Sequence, residues 1–179
     1  MKKILKIIGI VVAIVIAYCL IAILFFNKNY HGEKSVVINA SAENVWKNIN
    51  SMKAINVWSP WIKIDPNLKV EYSGESGKIG DQFCWDGNDD AGSGCQTISK
   101  IDFDGKNGFV NTDVQFKKPF EDKAKSNIKM ENLGSTTKVT WEMNFEFTTM
   151  MKPMIPIFNW EMNKTFNKGL DDLKNLAEK

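Results

Sequence analysis

Two periodicities meet near the C-terminus, and together they restrict the chain to few architectures. Val139, Trp141, Met143, Phe145 and Phe147 are apolar, while Thr140, Glu142, Asn144 and Glu146 between them are polar. A period of two belongs to a β-strand with one buried and one wet face. Beyond it the period lengthens. Phe158, Met162, Phe166, Leu170, Leu173 and Ala177 recur every three or four residues, the spacing of one apolar stripe on a long helix. Pro153 and Pro156 suit the first turns of that helix or a break just before it. A half-buried strand leading into a half-buried helix predicts an α+β domain, with the helix laid across one face of a sheet.

The residues before this pair supply the sheet. Glu33–Asn39 (EKSVVIN) is strand-like through Val36, Val37 and Ile38. Ser41 is a helix N-cap candidate ahead of Val45, Trp46 and Ile49, which recur at helical spacing. After WSPWIKIDP (residues 58–66), Val70 and Tyr72 alternate with polar neighbours, and so do Phe83 and Trp85. Further strands are expected at about 95–101, 108–116 and 124–130, for a total of about 6–7 antiparallel strands. If the segment WDGNDDAG turns about Asp89–Asp90, Cys84 falls directly opposite Cys95, and Trp85 opposite Gly94. Directly opposed residues have Cα atoms about 4.5–5.5 Å apart, a separation that a disulfide accepts. Outside a reducing compartment such a bond would persist; otherwise the two are small residues on an outer face. Either way they point away from Phe83 and Trp85, so a bond there is structural. Cys19 lies in the N-terminal apolar run.

That run has its own logic. Lys2, Lys3 and Lys6 precede an uncharged stretch, Ile7–Phe26, whose about 20 residues would span roughly 30 Å as a helix. Cleavable signals have shorter apolar regions, about 7–15 residues, and a small-residue cleavage site; no such site follows here. Tyr18, before Cys19, is also not the small residue that a lipoprotein site requires. The expectation is therefore an uncleaved transmembrane anchor (1–26, spanning about 7–26), a polar linker (27–32) and one domain (33–179). Three lysines stand before the run, against Lys28 and Lys34 just after it. The positive-inside rule then puts the N-terminus in the cytoplasm and the domain on the extracytoplasmic face of the cell membrane. Every basic residue is lysine, and without the three N-terminal ones the charge is nearly balanced. A nucleic-acid partner is excluded, since it would call for a basic face and the arginine fork.

The strings SVVINASAENVWKNI, WSPWIKIDP, YSGESGKIGDQFCWDGND, FKKPFEDKA, STTKVTWEM and GLDDLKNL cover nearly all of residues 33–179. They resemble the SRPBCC superfamily (the START-like or helix-grip fold) in its bacterial polyketide cyclase/dehydrase-like branch. Many of those proteins also carry a Lys-flanked hydrophobic helix in front. The resemblance implies a curved antiparallel sheet wrapped around the long C-terminal helix, with a cavity between them for a lipid, sterol, polyketide or other hydrophobic molecule. Under that resemblance Trp58 and Trp61 are wall or lid residues, with Pro60 stiffening the turn between them. The alternative is that both pack the short helices onto the sheet. Strand parity nominates Tyr72, Phe83, Trp85, Phe116, Trp141, Met143 and Phe145 for the cavity lining. Met154, Phe158 and Met162 would face them from the helix, and Gln96 and Thr112 are the polar handles for a head group.

Catalytic sets are not recognisable. The single histidine, His31, sits in the expected linker, with no nucleophile or carboxylate partner at a known spacing. Asp86, Asp89 and Asp90 resemble part of a calcium loop, but DGNDDAGSG lacks the closing glutamate and reads as a hairpin turn. GESGKIG has neither the full phosphate-loop pattern nor a helix after it. No metal and no cofactor are expected. Asp113, Glu142 and Glu146 fall on wet strand faces, where a carboxylate keeps an ordinary pKa. Three functions follow in order: a membrane-tethered module that binds a hydrophobic small molecule or lipid; a protein-interaction, co-chaperone-like domain without a ligand; and a cyclase/dehydrase-type enzyme. The last requires Asp113 or Glu71 to point inward.

Overall fold

The computed structural model describes residues 2–179. Helix α1 (Lys2–Phe25) is followed by strand β1 (Asn29–Ile38), helices α2 (Ala42–Trp46) and α3 (Met52–Trp58), and a 3₁₀ turn, Pro60–Lys63. Strands β2 (Lys69–Ser73), β3 (Gln82–Asp86), β4 (Ser93–Phe103), β5 (Gly108–Lys118), β6 (Asp122–Asn132) and β7 (Thr137–Glu146) come next. A 3₁₀ segment, Thr149–Met154, and helix α4 (Ile155–Ala177) close the chain. The strands form one antiparallel sheet of seven in the order β1-β7-β6-β5-β4-β3-β2. Every neighbour is a hairpin partner except β1, which returns to pair with β7. The result is the α+β helix-grip fold, with α4 lying along β1 and across the inward face of the sheet.

Sequence chemistry sets the local boundaries. Ser41 and Ser51 cap α2 and α3, their hydroxyl oxygens accepting the amides of Asn44 and Ala54. Pro156 occupies the first turn of α4, where its missing N–H costs nothing. Val139, Trp141 and Met143 of β7 are buried against Phe166, Leu170 and Leu173 of α4 in a single core. Gly169 permits the close approach of helix and sheet. A Cβ there would lie 2.6 Å from the Trp141 ring and 3.0 Å from Pro60.

Two expectations are corrected. Residues 27–32 are not a linker, because β1 begins at Asn29 and its first residues pair with Met143–Glu146. Tyr30 and Gly32 alternate poorly in hydrophobicity, but the Tyr30 side chain is buried and stacks edge-on against Phe147 and Phe158. Glu142 lies on the outer sheet face as its parity predicts, yet it is buried there under Lys129, Asn127 and His31. Burial pushes its pKa up. The hydrogen bonds from Lys129 and Asn127, with the charges of Lys129 and His31, more than reverse that and hold it below the ordinary carboxylate value. A lowered folded-state pKa means that Glu142 stabilises the fold above its unfolded value of about 4.3, and that this contribution disappears as pH falls through the folded value. Glu142→Gln is therefore expected to flatten the loss of stability below about pH 4, read from urea midpoints at neutral and acid pH.

Both ends of α4 are tied down. Lys174 Nζ donates to the Val37 carbonyl at 3.0 Å, and the Glu178 carboxylate accepts the Asn39 amide at 2.6 Å. At the other end, the Thr149–Met154 segment packs beside the last turns of α1. The Tyr18 hydroxyl donates to the Pro153 carbonyl at 2.8 Å, and Lys152 Nζ donates to the Ile23 carbonyl at 2.8 Å. Terminal helix carbonyls lack intrahelical donors and favour a cation, so Lys152 acts as a cap supplied from a distant part of the chain.

Candidate functional site: an apolar cavity between sheet and helix

A largely covered cavity of about 270 Å³ lies between the inward face of β3–β7, the α3 region and α4. Phe83, Trp85, Phe116, Trp141, Met143 and Phe145 line it from the strands, Phe158 and Met162 from α4, and Trp61 from the 3₁₀ turn. Strand alternation places the first group and the four-residue step places the second. Aromatic contacts fix much of the wall. Phe83 stacks on Trp85, Trp85 meets Phe116 edge-on, and Phe145 stacks on Phe158. Larger depressions, one around Trp46 and Glu75–Ile79 and one on the outer sheet face around His31 and Asp113, are open to solvent. An apolar molecule would stay largely wet in either.

One polar chain runs through the wall. Trp141 Nε1 donates to Ser126 Oγ at 2.9 Å, Thr112 Oγ1 donates to the Ser126 carbonyl at 2.9 Å, and Gln96 Nε2 donates to Thr112 Oγ1 at 2.8 Å. The direction of these bonds is forced. A backbone carbonyl can only accept, so the Thr112 proton is committed to Ser126, and Thr112 must receive from Gln96. That orients the Gln96 amide and leaves its carbonyl oxygen without a protein donor among the described residues. Gln96 lines the cavity, so a mainly apolar wall offers a ligand an oriented acceptor there.

The four remaining nominated residues stand elsewhere. Trp58 is 1% exposed; its Nε1 donates to the Asn48 carbonyl and its ring meets Trp141 edge-on at 5.1 Å, so it backs the wall. Tyr72 packs on Phe83, and its hydroxyl accepts from Asn56. Thr112 sits one layer behind Gln96 and aligns it. Met154 is half-exposed in the 3₁₀ segment, because Pro153 and Pro156 interrupt the helical phase that carries Phe158 and Met162 inward. The sequence reading did not name Ser126 or Asn56, which also line the cavity. Ser126 shares parity with Ile128 and Met130, and that alternation identifies it. Asn56 lies in a helix of seven residues, too short to display a stripe.

The carboxylates stay outside this space. Asp113 and Glu71 are exposed on the outer face. The buried Asp81 accepts the amides of Met52 and Gly77, and the buried Asp65 accepts those of Asn67 and Asn88. Among the described residues no cluster of His, Cys, Asp and Glu is placed to hold a metal ion. Cys84 and Cys95 pair across β3 and β4 in the expected register and are joined as a disulfide on the face opposite Phe83 and Trp85.

No protein-family description and no curated protein sequence matches the chain. Solved structures do. A hypothetical protein from Helicobacter pylori superposes with a TM-score of 0.63 at 10% identity, covering 84% of this chain and 89% of its own. Norcoclaurine synthase from Thalictrum flavum gives 0.59 at 11% identity over 83% and 93%. An aromatase/cyclase from a Streptomyces species gives 0.54 at 16% identity over 84% and 94%. At these identities the likeness establishes the helix-grip architecture found across the SRPBCC/START-like proteins.

Proposed function

We propose that this SRPBCC-type, helix-grip chain is a membrane-tethered, non-enzymatic module that holds a hydrophobic small molecule or lipid in the cavity between sheet and α4. The observation that carries this reading is a largely covered, mainly apolar cavity whose few polar groups include the Gln96 carbonyl oxygen, oriented by Thr112. Apolar walls with a few placed polar groups are the usual composition of small-molecule sites. The volume, about 270 Å³, falls just under the range of about 300–1,000 Å³ common for such sites. It suits a compact molecule, or one end of a longer one, bearing a hydroxyl or N–H donor. Helix α1 is long and apolar enough to cross a membrane, and its flanking lysines favour a cytoplasmic N-terminus with the domain outside. Asp113 and Glu71, the acids that a cyclase-type reaction would need inside, are on the wet face.

Native mass spectrometry of the full chain released from detergent micelles tests this. The expected result is a bound species of a few hundred daltons, freed on denaturation, whose occupancy in Gln96→Leu falls about two- to tenfold, the worth of one hydrogen bond. A protein that is empty and takes up no hydrophobic dye would overturn the reading in favour of a protein partner.

A further inference from the structure

Several apolar side chains stay exposed at one end of the domain, on the β5–β6 turn and, distant from it in sequence, on the 3₁₀ segment and the start of α4. Phe120 is 71% exposed at the β5–β6 turn, Met150 76% in the 3₁₀ segment, and Ile157 and Trp160 each 57% on the first turns of α4. The topology brings them together. In an antiparallel sheet that starts with β1, the end at which β1 begins is also where β7 ends, β5 turns into β6, and β3 turns into β4. α4 runs along β1, with Asn159 near Tyr30 and Lys174 near Val37, so its N-terminus is at that same end. So is the C-terminal end of α1, four residues before β1 starts.

The cavity opens at this end too. Most of its lining is covered; the exposed members are Ile64, just after the 3₁₀ turn, and Asp90, Lys118 and Pro119, at the β3–β4 turn and where β5 runs into the β5–β6 turn. Phe120 is the next residue along that rim.

The contacts with α1 supply the depth. Tyr18, bonded to Pro153, lies seven residues before the end of α1, roughly 10 Å back along the helix axis. The Thr149–Met154 segment therefore flanks the last turns of the apolar helix instead of standing beyond it. A bilayer that solvates α1 to its end meets Met150, Met154 and Ile157 at the same level. Tryptophan prefers the headgroup boundary, and Trp160 is the residue one helical turn further along α4 from Ile157, with Lys164 Nζ over its ring at 3.5 Å.

We infer that Phe120, Met150, Met154, Ile157 and Trp160 form a docking surface for the lipid leaflet in which α1 ends. The cavity mouth is then presented to the membrane, so that an apolar ligand passes between leaflet and cavity without crossing water. This rests on the reading of α1 as a membrane anchor.

The test uses the full chain in phosphatidylcholine vesicles, with and without bromine on the acyl chains, since bromine quenches only nearby tryptophans. Bromolipid is expected to lower the emission, and Trp160→Phe to remove a measurable part of that loss. Phe120→Trp, added to the Trp160→Phe chain, is expected to restore quenching. Emission losses unchanged by Trp160→Phe, with no gain from Phe120→Trp, in protein that still sediments with vesicles after an alkaline wash, overturn the docking surface and leave the anchor standing. Protein that the alkaline wash strips from the vesicles overturns the anchor, and the docking surface with it.

Discussion

Trp141→Ala is expected to destabilise the domain by about 3–5 kcal/mol, the range for removing a large buried aromatic. Trp141 is 3% exposed and stands where three parts of the core meet. Its ring is edge-on to Trp58 and to Phe166, each at 5.1 Å, and it closes against Gly169 of α4. Its indole N–H holds Ser126 at 2.9 Å. Truncation leaves a void shared by sheet, α3 and α4, while the Ser126 hydroxyl loses its donor. The same void adjoins the cavity between sheet and α4, which should enlarge as stability falls. Thermal or urea unfolding of the full chain in detergent micelles, followed by near-ultraviolet circular dichroism, checks it. A loss below about 1 kcal/mol would mean that neighbouring side chains collapse into the site far better than cores usually do.

The disulfide carries the second large effect. Cys84 and Cys95 close a loop with a sequence separation of 11, and restraining a loop of that order in the unfolded chain is worth about 2–3 kcal/mol. The Cys84→Ser/Cys95→Ser double variant should unfold earlier by that amount, and reductant should lower the wild-type midpoint without affecting the variant. The consequence extends to the cavity, because β3 and β4 carry Phe83, Trp85 and Gln96 on the opposite face. The intact mass of the untreated protein, two hydrogens short of the reduced value, reports that the bond has formed. A full hydrogen count in protein isolated without reductant would remove the stabilisation at its source.

Much of the fold was legible because its signals are local and periodic. The alternation from Val139 to Phe147 and the stripe from Phe158 to Ala177 each follow from one element having one buried face. The β3–β4 register follows from where WDGNDDAG turns. What escaped depends on three-dimensional neighbours. Trp58 and Trp61 have similar surroundings in sequence, yet one helical turn directs Trp58 to Trp141 and the following 3₁₀ turn directs Trp61 to the cavity. Asn29–Gly32 have weak strand propensity and are held extended by the long return of β1 to β7. Glu142 illustrates the converse: parity gives the face on which a residue lies, while the length of Lys129 and Asn127 decides whether water reaches it.

The clasp of α4 on β1 bears on how copies of this chain coexist. β1 is an outer strand of the sheet, and an outer strand offers unsatisfied backbone groups to any similar strand nearby. Here Lys174 occupies the Val37 carbonyl and Glu178 the Asn39 amide, so the last turns of the helix close part of that edge. At the opposite margin β2 is only five residues long and bears Lys69 and Glu71, a short charged edge that pairs poorly. Copies that the proposed anchor would hold in one plane would meet far more often than free ones. With both margins guarded in this way, pairing of one sheet's edge with another's into a ribbon is disfavoured even where copies are crowded.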